Sequence, residues 1–140
     1  MPKIAACIKR MLTCFIFLQM SAAMGQVAKK QAAPPKAQIT LYGQASFYAD
    51  KFHGRKTASG DIFSHAKFTA ACNSLPLGTW IQVTNLRNGK IIVVQTNDRL
   101  SPKSKRLIDL TKAAAKKLGF ISAGLTRVKV IVLDQSLYKR

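Results

Sequence analysis

Residues 79–96 constrain the fold more than any other stretch of this chain. Thr79 to Leu86 (TWIQVTNL) alternates large apolar with polar residues, the period-two pattern of a half-buried strand. Lys90 to Thr96 (KIIVVQT) returns as a second strand, with Asn88-Gly89 between the two. Both turn residues tolerate the positive φ of a tight hairpin, so an antiparallel pair is expected here. Leu125 to Leu133 (LTRVKVIVL) repeats the alternation, and Ile39 to Tyr48 adds aromatic and β-branched residues around Gly43. Glycine weakens a strand interior, so Gly43 is expected where the strand bends or another backbone passes close. Gly54 to Phe63 (GRKTASGDIF) is loop-like. Lys112 to Leu118 is expected as a single short helix, with Thr111 as its N-cap and Gly119 as its stop. Five or six short strands leave exposed edges unless the sheet closes, so an all-β fold, a small closed barrel with one short helix, is expected.

Not all 140 residues belong to that barrel. Lys3, Lys9 and Arg10 precede an apolar run, Met11 to Met24, and Ala23-Met24-Gly25 offers small residues at the two positions that signal peptidase reads. Residues 1–25 therefore read as a Sec-type signal peptide cut before Gln26. The run is too short for a membrane span, which needs about 20 apolar residues. The expected product is an exported monomer, periplasmic or secreted, with no stable membrane span. Residues 26–38, which carry Pro34-Pro35, read as an exposed linker, 39–134 as the folded domain and 135–140 as a C-terminal tail. Cys7 and Cys14 leave with the leader, so Cys72 stands alone and no disulfide closes within the chain. Stability must come from burial.

The titratable residues are few. Only His53 and His65 are histidines and no ligand pair has zinc spacing, so no metal is expected; no glycine-rich phosphate loop is present, and no cofactor is expected either. All five acids are aspartates. Asp98 follows the apolar run Ile91-Ile92-Val93-Val94, where a sheet ends and a cleft can begin. A carboxylic acid in such a place, its pKa raised by an enclosed site, can protonate a leaving oxygen; an aspartate there can equally well bond only turn backbone. Asp61, in Ala58-Ser59-Gly60-Asp61, reads as a second site carboxylate or as an Asx turn. Asp109, just before Thr111, reads as serving the helix N-terminus through its charge. Asp50 and Asp134 have no supporting context, and Cys72 reads as a small buried apolar residue.

Seven segments, taken together and in order, carry a resemblance. They are Tyr42 to Tyr48 (YGQASFY), Phe52 to Gly60 (FHGRKTASG), Phe68 to Ala71 (FTAA), Leu75 to Thr79 (LPLGT), Val83 to Gly89 (VTNLRNG), Asn97-Asp98-Arg99 and Ile108-Asp109-Leu110. Over about Leu41 to Leu133 the chain resembles the rare lipoprotein A (RlpA) family of septal ring lytic transglycosylases. The resemblance implies a six-stranded double-psi β-barrel, related to expansins. It also implies cleavage of peptidoglycan glycan strands between N-acetylmuramic acid and N-acetylglucosamine, in wall remodelling and septation. It puts Asp98 in the acid/base role and Asp61 (where the family has glutamate) on the site wall. Cys72 stands where the family has histidine, a second active-site residue, and would line the same pocket. Leu100-Ser101-Pro102 replaces the family's Gly-Pro after the Asn-Asp-Arg motif. Because a thiol replaces imidazole, a non-catalytic, expansin-like glycan-binding protein is the alternative reading.

The formal charge of +18 would by itself suggest nucleic acid. In an exported protein the excess fits an anionic cell envelope instead. The expected partners are peptidoglycan glycan strands and division proteins of the envelope, not nucleic acid.

Overall fold

The computed structural model describes residues 38–138; the segment read as a signal peptide and all but the last residue of the expected linker lie outside them. Six strands form the closed barrel: β1 (Thr40–Phe47), β2 (Thr69–Cys72), β3 (Trp80–Asn85), β4 (Ile91–Asp98), β5 (Ile108–Leu110) and β6 (Thr126–Val132). Around the barrel the order is β1-β5-β2-β4-β3-β6. β1 runs parallel to β5 and β2 parallel to β4, while the other four pairings are antiparallel. The closure leaves no open edge, as the strand count led one to expect.

The expected hairpin is β3–β4, with Ile81 opposite Val94 and Val83 opposite Ile92. These four side chains point inward and are buried, while Ile91 and Val93 face out. The apolar run before Asp98 is thus an alternating strand. The turn also differs from the two-residue form. Asn85 N–H donates to Lys90 O and Gly89 N–H to Asn85 O, which closes a four-residue loop in which only Gly89 has positive φ, 72°. Asn88 is used through its side chain instead: Nδ2 donates to Leu118 O, and Oδ1 accepts from Lys90 N–H.

β2 and β5 lack an alternating pattern because both are short and buried almost throughout. Gly43 makes the close approach anticipated for it: a Cβ there would lie 2.5 Å from the Leu107 Cβ, just ahead of β5. The helix, α1 (Lys112–Leu118), has the expected ends. Thr111 accepts from Ala114 N–H, and Gly119 adopts a left-handed φ of 75°. Ala114, Ala115 and Leu118 of α1 join Phe120 in the core with Ile81, Ile108, Leu110 and Val128. Beyond β6, Gln135 binds both backbone groups of Trp80, and Tyr138 stacks on the Trp80 ring with centroids 4.8 Å apart. Residues 135–138 of the tail thereby pack on the barrel.

Candidate active site

Barrel register decides which acids meet. Asp98 ends β4 and lies opposite Ala71 of β2, after a register shift between Ala70 and Ala71. Ala71 also lies opposite Asp109 of β5, which lies opposite Ser46 of β1. Two carboxylates therefore flank Ala71 in one row, their Cα atoms about 10 Å apart at ordinary strand spacing. They face a cleft of about 510 Å³, walled by Tyr48, Lys51, Phe52 and Arg106 among others. A larger groove of about 620 Å³ opens beside α1 between Lys112, Lys116 and Ile121, but no carboxylate lines it. Of the two, the first is the one that brings carboxylates together.

Asp98 is held by three donors. Its Oδ1 accepts from Ala58 N–H at 2.9 Å and Arg99 N–H at 2.8 Å, and its Oδ2 accepts from the Tyr48 hydroxyl at 2.8 Å. The two backbone bonds give Asp98 a turn role, while Oδ2 is bonded to Tyr48, which lines the cleft together with Asp98. Tyr48 follows directly after β1 and packs its ring on Phe63 and Phe52, at centroid distances of 4.4 and 5.7 Å. Burial first, then the Asp98 bond and charge, then the Asp109 charge, push the Tyr48 phenol far above its ordinary range. It remains a donor.

Asp109 does not serve the helix. It is buried in β5 and takes the Arg106 guanidinium at both oxygens, at 2.7 and 2.9 Å, while α1 is capped by the uncharged Thr111. Burying a lone carboxylate is costly, and the bidentate partner is what makes this position tolerable. Arg99, next to Asp98, turns its guanidinium to the Cys72 and Leu75 carbonyls and so ties the end of β2 to the end of β4.

Asp61 and Cys72 lie outside the cleft lining. Asp61 is exposed in the 57–61 turn, where its Oδ2 accepts from the Ser59 hydroxyl at 2.7 Å. That bond holds its carboxyl below the usual range; Asn97 and Lys67 add to the effect, against a desolvation contribution of opposite sign. Ser59 N–H donates to Asn97 O, so this turn is bound to β4 and presents Ala58 N–H to Asp98. Asp61 thus braces the turn that holds Asp98. Cys72, expected on the pocket wall, is 1% exposed and has its side chain in the barrel core. Tyr48, Arg106 and Lys51 were not singled out from the sequence, and Asp109 was read as a helix-terminal charge instead of a residue of the cleft. The signal available for Asp109 was its place in Ile108-Asp109-Leu110, a motif too short to show that it forms a strand.

The family model described as lytic transglycolase matches residues 40–130. The endolytic peptidoglycan transglycosylase RlpA of Neisseria meningitidis is 44% identical over 115 residues, which cover 79% of this chain and 48% of that protein. The proteins of the same name from Haemophilus influenzae and Pseudomonas aeruginosa are 50% and 49% identical, covering 65% and 67% of this chain but 32% and 28% of their own lengths. The chain therefore spans about half or less of these relatives. Among solved structures, the Streptomyces papain inhibitor superposes with a TM-score of 0.55 at 24% identity, covering 68% of this chain and 96% of its own. An expansin of Clavibacter michiganensis gives 0.54 at 20%, covering 69% and 51%. At these identities the likeness concerns the fold, the double-psi β-barrel. With the matched segment spanning β1 to β6 and Asn97-Asp98-Arg99 at the mouth of the cleft, the chain belongs to the lytic transglycolase family, in its RlpA branch.

Proposed function

We propose that this domain is a peptidoglycan lytic transglycosylase, cutting glycan strands between N-acetylmuramic acid and N-acetylglucosamine in wall remodelling. The observation that carries the reading is Asp98, gripped at the cleft by two peptide N–H groups and a phenol. In the proposed reaction Asp98 gives its proton to the bridging oxygen while the bond from that oxygen to the muramic acid C1 breaks. Oxocarbenium-like charge develops at C1. The Asp98 carboxylate then takes the proton of that sugar's C6 hydroxyl as its oxygen bonds to C1 and closes a 1,6-anhydro ring. Asp98 ends protonated, as it began, so one carboxylate serves both halves of the reaction. The Arg106–Asp109 pair on the opposite side of Ala71 offers fixed donors and acceptors to sugar hydroxyls.

Digestion of purified sacculi by the exported protein, followed by mass spectrometry, tests this. Appearance of 1,6-anhydro-muramic ends supports it; their absence on glycans both with and without stem peptides sinks it. The non-catalytic alternative rests on Cys72 standing where the family has histidine. Retention on sacculi without product release would select that alternative. The site of action in either case is the cell envelope, where the export expected of residues 1–25 would deliver the chain. Among the described residues, no helix is long and apolar enough to cross a membrane.

Two residues beside Asp98 yield separate expectations. Lys51 lines the cleft with its ammonium 5.5 Å from the Phe52 centroid, free to meet a muramic acid carboxylate. An exposed ion pair is worth up to about 1 kcal/mol, so Lys51→Ala should raise KM by about 3- to 5-fold on glycans with free carboxylates. Amidating those carboxylates should erase the difference, with kcat unchanged throughout. Asp61→Ala removes the brace on the 57–61 turn and should lower kcat by about 10-fold through misplacement of Ala58 N–H. The stability of the barrel, read by thermal unfolding, should hardly move because Asp61 is exposed.

A further inference from the structure

The structure assigns to Tyr48 the role of a positioning residue that decides which oxygen of Asp98 carries the working proton. This rests on the transglycosylase reading above and deepens it. The two carboxyl oxygens are ligated unequally. Oδ1 accepts two peptide N–H groups, from Ala58 and Arg99, which occupy both of its lone pairs. Oδ2 accepts one bond, from Tyr48, which leaves it a further lone pair, and both residues line the cleft. The transferable proton therefore resides on Oδ2, beside the phenol.

The phenol is built to stay there. Phe63, 3% exposed, and Phe52 pack on its ring, and its ionisation is displaced so far upward that it never competes with Asp98 as the acid. Its effect grows along the reaction. While Oδ2 is protonated, the Tyr48 bond is one between neutral groups. When the proton moves to the bridging oxygen the acceptor becomes a carboxylate, and the bond becomes charge-assisted, roughly twice as strong. Stabilisation that is larger in the transition state than in the ground state raises kcat and leaves KM alone. The other charged groups facing this cleft are Asp109, with its Arg106 partner, and Lys51 and Arg99; all remain in place when only the phenol oxygen is removed.

The test uses the exported protein acting on sacculi across pH, with kcat and KM separated. Tyr48→Phe keeps the ring packing and deletes the donor. It should lower kcat by about 10- to 100-fold, leave KM within about 2-fold and move the high-pH limb of the rate profile upward by about one pH unit. The sign follows because loss of a donor to the charged carboxylate favours the protonated form. A 3-fluorotyrosine at position 48, a stronger donor of nearly the same shape, should move the limb downward. A kcat within about 2-fold of wild type, or a limb that stays in place in both variants, overturns the assignment. Asp98→Asn in the same assay separates the two levels. If it is inactive while Tyr48→Phe behaves as wild type, only the role of Tyr48 falls; if it retains wild-type turnover, the reading of Asp98 falls first.

Discussion

Replacing Asp98 with asparagine is expected to reduce release of 1,6-anhydro products by 10²- to 10⁴-fold, the usual range for a lost acid–base group. Asparagine keeps the shape and one carbonyl oxygen, so Ala58 and Arg99 N–H retain their acceptor. Its Nδ2 falls opposite the Tyr48 hydroxyl, which can accept as well as donate. The barrel should therefore melt close to the wild-type temperature while the proton that drives cleavage is gone. Mass spectrometry of the digest and a thermal melt on the same preparation check both halves. A variant that still releases anhydro ends at more than a tenth of the wild-type rate would show that another group supplies the proton, with Asp109 the first to examine.

The second large effect concerns stability. Asn85 is 1% exposed at the end of β3. Its Nδ2 donates to Leu118 O at 2.9 Å, and its Oδ1 accepts from the Thr126 hydroxyl at 2.8 Å and from Arg87 N–H at 3.0 Å. One side chain thus joins the β3–β4 turn, the end of α1 and the start of β6. Asn85→Ala leaves the buried Thr126 hydroxyl without that acceptor and takes one of the two amide donors from Leu118 O. We expect a loss of about 3 kcal/mol, since breaking a buried network costs the desolvation of each group left unpaired. For a domain of this size that corresponds to a melting temperature about 15 °C lower. Asn85→Asp should recover little, because a carboxylate cannot donate to Leu118 O. A fall of less than 5 °C for the alanine variant would show that water enters and satisfies the site.

The hairpin and the helix with both caps were legible because each depends on neighbours in sequence; Gly43 marked a tight spot, but the Leu107 side chain that fills it comes from far along the chain. Alternation in residues 79–86 and 90–96 reports which side chains face inward, and Thr111 and Gly119 act within one turn of the helix they bound. Three-residue β5 shows nothing of the kind, so Asp109 looked like a helix-terminal charge when it is a strand residue paired with Arg106. Asn88 illustrates a subtler limit. Its presence before Gly89 marked a turn correctly, but α1 lies close enough to claim its amide, and the loop is longer than the dipeptide alone suggests.

For the site, the sequence by itself singled out a candidate acid. Asp98 stood out because it follows the apolar run Ile91 to Val94 and lies in Asn97-Asp98-Arg99, the motif that the resemblance to the RlpA family puts in the acid/base role. What surrounds Asp98 was decided only by the tertiary structure. Parallel pairing of β1 with β5 and of β2 with β4 carries the ends of four strands to one mouth, bringing Tyr48, Ala71, Asp98 and Asp109 together from across some sixty residues of chain. The same pairing turns Cys72 into the core, away from the cleft that its sequence position suggested. Local pattern records the two faces of a strand. It carries no trace of which distant strand lies alongside, because that choice is made by closing the barrel around a shared core.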